Sequence, residues 1–122
     1  TNCIIYGNES IELLFNKSDE AAFNYNFENC LIRFNDTNNR FDGDVLYDFE
    51  NVDLFQNVIF NETPLFLNTE DNRLIISNDS PANGAGNQSA ANEVPFDILG
   101  VNRTQAPDIG AYQSIQFDDD KE

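Results

Sequence analysis

One four-residue word is written three times in this chain. Asn2-Cys3-Ile4-Ile5 recurs 27 residues later as Asn29-Cys30-Leu31-Ile32, and a looser copy, Asn57-Val58-Ile59-Phe60, follows after a further 28. The third copy brings its upstream context along, because Phe27-Glu28-Asn29-Cys30 matches Phe55-Gln56-Asn57-Val58. A period between about 20 and 50 residues marks a solenoid, whose units bury their apolar faces by stacking on one another.

Local pattern decides which solenoid. The stretch FNYNF at 23–27 alternates aromatic residues with Asn, and the repeated words are rich in Ile, Val and Phe, so these segments read as strands. No stretch keeps a helical period with caps; NKSDEAAFNY starts acidic but breaks at Asn24. Short strands separated by Asn, Asp and Gly turns leave no room for helical crossovers, and a coil stacked as a parallel β-helix satisfies both constraints.

Parallel stacking places equivalent residues about 4.8 Å apart, so like side chains form ladders. Cys3, Cys30 and Val58 are expected to form one inward ladder, and Ile5, Ile32 and Phe60 the next. Alternation sends Tyr6, Arg33 and Asn61 outward, together with Ile4, Leu31 and Ile59. That second stripe is apolar and needs cover, from a loop of this chain or from a partner, with loop cover the default. The Asn that heads each word suits a left-handed corner between strands, so Asn2, Asn29 and Asn57 read as a structural ladder.

At 122 residues the chain is the size of one domain. Its formal charge of −16, from 22 acidic and 6 basic side chains, repels phosphate backbones and anionic headgroups and argues against nucleic acid as a partner. No run approaches the roughly 18 apolar residues of a membrane-crossing helix, and no signal peptide opens the chain. The absence of Met leads to the expectation of a processed product or a fragment, with earlier coils preceding Thr1. Seven Asn-x-Ser/Thr triplets, at Asn8, Asn16, Asn35, Asn61, Asn78, Asn87 and Asn102, are what an Asn- and Ser-rich composition produces by chance.

Beyond the third word, PLFLN and NRLIIS read as two final strands, followed by a Gly-, Ala-, Asn- and Ser-rich loop. The boundaries expected are coils over 1–80, a closing loop and cap over 81–116, and an acidic tail over 117–122.

Residues 72–113 resemble the C-terminal end of bacterial right-handed parallel β-helix surface proteins of the choice-of-anchor Q type, which share the pectin lyase-like fold. The resemblance rests on Ser80, Pro81, Ala82 and Gly86; on Asp97, Gly100 and Arg103; and on Pro107, Asp108, Ile109, Gly110, Ala111 and Tyr112. Gln113 stands where the family usually has Glu, and Asn83-Gly84 replaces the usual Ile-Asn. The upstream words are similar to Bacteroidetes proteins of this class. The resemblance implies export to the cell surface or outer membrane and a structural cap. In that cap Gly100 and Gly110 turn the chain, Arg103 bridges to Asp97 or Asp108, and Tyr112 lids the core.

Catalytic material is sparse. There is no His, which removes the hydrolase triads, and two Cys are too few for a Cys-rich zinc site. Cys3 and Cys30 lie within disulfide reach if stacked, but parallel neighbours aim their sulfurs poorly and free buried thiols are favoured. Polysaccharide lyases on this fold use carboxylates for Ca²⁺ and a basic residue, yet Arg33, Arg40, Arg73 and Arg103 show no lyase motif. The densest acidic segment offers Asp36, Asn38, Asp42, Asp44 and Asp48 as oxygen ligands for Ca²⁺, although its spacing is not that of an EF-hand.

The sequence is therefore read as the final coils of an all-β, right-handed parallel β-helix, acting as a non-catalytic binding or scaffold module that contacts a glycan or another envelope protein. The alternatives are a carbohydrate-active lyase or hydrolase with its active residues upstream, and a subunit of an outer-membrane complex. The expected partner at the N-terminal end is a further coil or another protein. The expected contact surface is Ile4, Tyr6, Tyr25, Leu31, Arg33 and Ile59, with Leu31 as an exposed centre whose replacement by Asp spares the fold.

Overall fold

The repeated Asn residues take up the one backbone conformation that few other side chains tolerate. Asn2, Asn29 and Asn57 have φ of 59°, 54° and 54°, so each word begins with a left-handed corner that swings the next residues into a strand. The computed structural model describes residues 1–17, 19–20 and 22–116. The expected acidic tail at 117–122 lies outside the described residues.

The strands that leave these corners are β1 (Ile4–Ile5), β3 (Leu31–Ile32) and β5 (Ile59–Phe60), and they form one parallel sheet in the order β1-β3-β5. Ile4 pairs with Leu31 and Leu31 with Ile59, while Ile5 pairs with Ile32 and Ile32 with Phe60, the register the repeat predicts. The amides of Leu31 and Arg33 donate to the carbonyls of Cys3 and Ile5 at 2.9 and 2.8 Å, and those of Ile59 and Asn61 donate to Cys30 and Ile32 at 2.8 and 3.0 Å. On the approach to the corners, β2 (Phe27–Glu28) and β4 (Phe55–Gln56) make a second parallel pair. There Phe27 and Phe55 stack with their rings 7° from parallel and 5.6 Å apart.

The chain is all-β in class. Two further strands, β6 (Phe66–Asn68) and β7 (Arg73–Ile76), complete it, and the only α-helix among the described residues is the six-residue α1 (Gln88–Glu93). β6 and β7 pair antiparallel, so the chain after the third word folds back on itself instead of adding another parallel rung. The cause is the polar turn between them: the Asn68 carboxamide accepts from the amides of Glu70 and Asp71, and Asn72 enters the left-handed region at φ 57°. α1 lies where a loop is expected; Asn87 caps it by accepting from the Ala90 amide at 2.9 Å.

Both faces of the β1-β3-β5 sheet are packed, as parallel sheets require. On one face Cys30, Ile32, Phe34 and Tyr47 form a buried cluster with Ile5, Val58 and Phe60 and an aromatic wall that includes Phe15, Phe27, Phe41 and Phe49. The inward ladders are thus in place except at Cys3, which is exposed. Both cysteines are free thiols, and only Cys30 is buried.

The other face corrects the expected contact surface at its centre, Leu31. Leu31 is 0% exposed and sits in a second cluster with Ile76, Ala82 and Ile109, flanked by Ile4, Tyr6, Ile59 and Phe66. The apolar stripe is covered by residues 76–110 of the same chain, the loop cover that its hydrophobicity demands. Tyr25 is not beside it, because its ring packs with Phe15, Phe23, Phe27 and Phe55 and its hydroxyl donates to the Leu46 carbonyl, all on the aromatic side.

Two substitutions test this packing. Leu31→Asp is expected to remove the cooperative transition in a denaturant titration, since a buried carboxylate and a lost Leu together cost at least about 4 kcal/mol. Asn29→Ala is expected to lose about 1 to 2 kcal/mol at the left-handed corner, with Asn29→Gly recovering most of the backbone part, both read by the same titration.

Candidate functional site

The segment that covers Leu31 is held by two buried carboxylates acting as internal hydrogen-bond hubs. Asp108 is 1% exposed; one oxygen accepts from the Gly84 amide at 2.6 Å and the other from the Ser114 amide at 2.5 Å. Asp97, at 7% exposure, accepts from the amides of Leu99 and Val101 through one oxygen at 2.9 and 2.8 Å, and from Gln113 through the other at 2.8 Å. Burial works against ionisation of Asp97, but the three amides and the nearby charge of Arg103 outweigh it and hold its pKa below the ordinary carboxylate value.

Gln113 links the hubs, since its side-chain oxygen accepts from the Asp108 amide at 2.8 Å and its nitrogen donates to the Ala106 carbonyl at 3.1 Å. A Glu could supply only the first of these bonds. The carbonyls of Pro107 and Asp108 lie 2.8 and 2.9 Å from where a Cβ on Gly86 would sit, so that crossing requires glycine.

Arg103 does not bridge to Asp97 or Asp108 as expected. Its guanidinium donates to the carbonyls of Val94 and Gly110, at 3.1 and 3.5 Å, and so staples the loop backbone. Gly100 and Gly110 do turn the chain, at φ 84° and 109°. Gly110 also allows a close approach, since a Cβ there would stand 2.8 Å from Ile4 Cδ1.

The segment is tied to the first two corners. The Gly110 amide donates to the Asn2 carbonyl at 2.8 Å, the Asn87 amide to the Asn2 side chain at 2.6 Å, and the Asn29 side chain to the Ala85 carbonyl at 3.0 Å. The expected cap therefore lies along the flank of the sheet.

Where the flanking segment meets β1, an open groove of about 830 Å³ forms, with Ile4 and Tyr112 on its walls beside Phe66, Leu74, Phe96 and Ile98. Tyr112 is half-buried here. The rim is apolar and exposed: Val94 is 55% accessible, Phe96 55% and Ile98 71%, and Leu99 and Val101 extend the patch along the same loop. None of these five residues is among the site candidates above, although apolar residues flanking Asp97 on both sides of a Pro95-to-Gly100 loop carry the signal.

Among the described residues the groove also borders an unpaired sheet edge. Leu31 donates to the Cys3 carbonyl, so in this parallel ladder the N–H and C=O of Ile4, its partner in register, face away from β3.

The remaining site candidates are dispersed. Arg33 donates to the Gly7 carbonyl at 2.6 Å and lies 5.1 Å from the centre of the Tyr6 ring, so the two form a half-buried pair at the end of β3. In the acidic loop, Asp36 accepts from the amides of Arg40 and Phe41, Asp44 from Leu46 and Asp48 from Glu50, so these carboxylates serve as turn caps. A second open groove, away from β1, has Asp36, Asp42, Asp44 and Asp48 on its walls with Phe41 and Tyr47; Asp42 is exposed there, and Asn38 is not part of the lining. Among the described residues no three His, Cys, Asp or Glu side chains converge as a metal site. Burial pushes the Cys30 thiol pKa up, which disfavours the thiolate.

Comparison with models of protein families, with curated proteins and with solved structures finds no match.

Because its folded pKa is depressed, Asp97 contributes stability above the unfolded-state carboxylate value, and that contribution is lost as pH falls through the folded value. The expected outcome is a drop in Tm at acid pH that is smaller in Asp97→Ala than in the parent chain; identical pH profiles would rule out this role.

Proposed function

We propose that this chain is the closing part of a right-handed parallel β-helix protein of the choice-of-anchor Q type, exported and displayed at a bacterial surface, and that it works as a non-catalytic binding or scaffold module. The observation that carries the reading is the in-register stacking of three words behind three left-handed Asn corners. The flanking signature from Ser80 to Tyr112 supports the family.

The contact surface is the groove between β1 and the 94–101 loop, in place of the Leu31 stripe. Its occupant is an extended polypeptide that lays one more parallel rung on β1. The free edge of Ile4 supplies backbone bonds, and the apolar rim supplies burial for the incoming side chains. A charge of −16 disfavours a second copy of this chain and favours a neutral or basic segment. The alternative of a carbohydrate-active lyase or hydrolase places its active residues upstream; within this chain Arg33 and Arg103 are engaged with backbone carbonyls.

A tandem chain carrying a second copy of residues 29–56 directly ahead of Asn2 tests the edge. The added coil is expected to raise Tm and to slow hydrogen exchange at the Ile4 and Tyr6 amides. Unchanged exchange at both amides would remove the edge as a docking site.

A further inference from the structure

The turn that replaces the usual Ile-Asn pair holds the most reactive dipeptide chemistry in the chain. In an Asn-Gly sequence the glycine amide nitrogen is unhindered and attacks the preceding side-chain carboxamide. At Asn83-Gly84 both reacting groups are tied. The Gly84 N–H donates to the buried Asp108 carboxylate at 2.6 Å, and the Asn83 side-chain nitrogen donates to the Asn78 carbonyl at 2.6 Å. Asn83 and Gly84 are otherwise exposed, so water reaches them freely.

We propose that Asn83 is a self-modification site, held unreacted by Asp108 while the flanking segment is docked and converted to aspartate and isoaspartate when that segment lifts. The Gly84 nitrogen loses its proton to solvent hydroxide and bonds to Asn83 Cγ; Nδ2 takes a proton from water as the Cγ–Nδ2 bond breaks, so ammonia leaves and hydroxide is regenerated. Water then opens the cyclic imide at either carbonyl. Asp108 blocks the first step twice, because its oxygen occupies the N–H and its negative charge disfavours an amide anion beside it.

The reaction is one-way and alters the fold locally. An isoaspartate lengthens the main chain by one methylene, and either product places a new carboxylate in the turn that Asp108 closes. Gly84 at φ 69° and the bond from the Ile109 amide to the Ala82 carbonyl at 3.0 Å depend on that turn. The modification therefore works against redocking over Leu31. This inference needs only the docked segment and is independent of the proposed function.

The test is peptide mapping of the full chain after incubation at mildly alkaline pH, reading aspartate and isoaspartate at position 83. The native chain is expected to react about 10- to 100-fold more slowly than the same chain in denaturant, the range of one hydrogen bond to a charged group. Asp108→Ala is expected to bring the native rate close to the denatured one. Equal rates for native and denatured parent chain would overturn the proposal. Because Asp108→Ala can unfold the segment for other reasons, the parent chain's Gly84 amide is also followed by hydrogen exchange. Its protection and the slow conversion are expected together, and a freely exchanging Gly84 amide would equally overturn the lock.

Discussion

Strands of two residues make too few hydrogen bonds to hold a sheet together, so the β1-β3-β5 sheet depends on being enclosed from both sides. Cys30 and Ile32 point into the aromatic cluster, and Leu31 between them points into the cluster completed by Ile76, Ala82 and Ile109. This alternation makes residues 76–110 part of the fold's minimum content. Without them, a fully apolar ladder of Ile4, Leu31 and Ile59 would face water. The same demand explains the buried carboxylates. A segment with only one short helix must satisfy its backbone amides locally, and Asp97 and Asp108 together accept five of them at low exposure.

The net charge of −16 consequently has two populations with different physics. Asp97 and Asp108 are structural acceptors inside the flank, and Asp36, Asp44 and Asp48 cap turns in the loop before β4. Asp42 and Asp79 are among the exposed carboxylates that carry the solvating charge. Acidity therefore does not mark a cation site by itself in this chain, because Asp36, Asp44 and Asp48, in its densest acidic segment, already accept from backbone N–H groups.

Much of this architecture was legible in the sequence. The spacing of the three words set the parallel register residue by residue, and the Asn heads indicated the left-handed corners. The outward stripe was recognised as needing cover, but its identification as a contact surface failed, because which segment returns to cover Leu31 is a matter of tertiary geometry that a local pattern does not encode. The β6–β7 reversal was missed because NTEDN resembles any polar turn until Asn68 is seen bonding two amides. α1 was missed because six residues show too little period and Asn87 sits in a stretch of loop-like composition. The exposed rim at Phe96 and Ile98 was hidden for the opposite reason, since apolar residues in a signature motif suggest core. Arg103 does not bond either acid, because its guanidinium is taken up by the Val94 and Gly110 carbonyls while Asp97 and Asp108 accept from backbone amides.

The bond from Gly110 to Asn2, and the one from Asn87 to Asn2 across 85 residues, join nearly the two extremes of the described chain. Such contacts form only after the intervening rungs have shortened the effective loop, so they belong to the late side of the folding barrier. Neighbouring rungs assemble over separations of 27 and 28 residues, whereas the flank closes over more than three times that distance. Loop-closure entropy therefore weighs more heavily on the flank than on the pairing of neighbouring rungs.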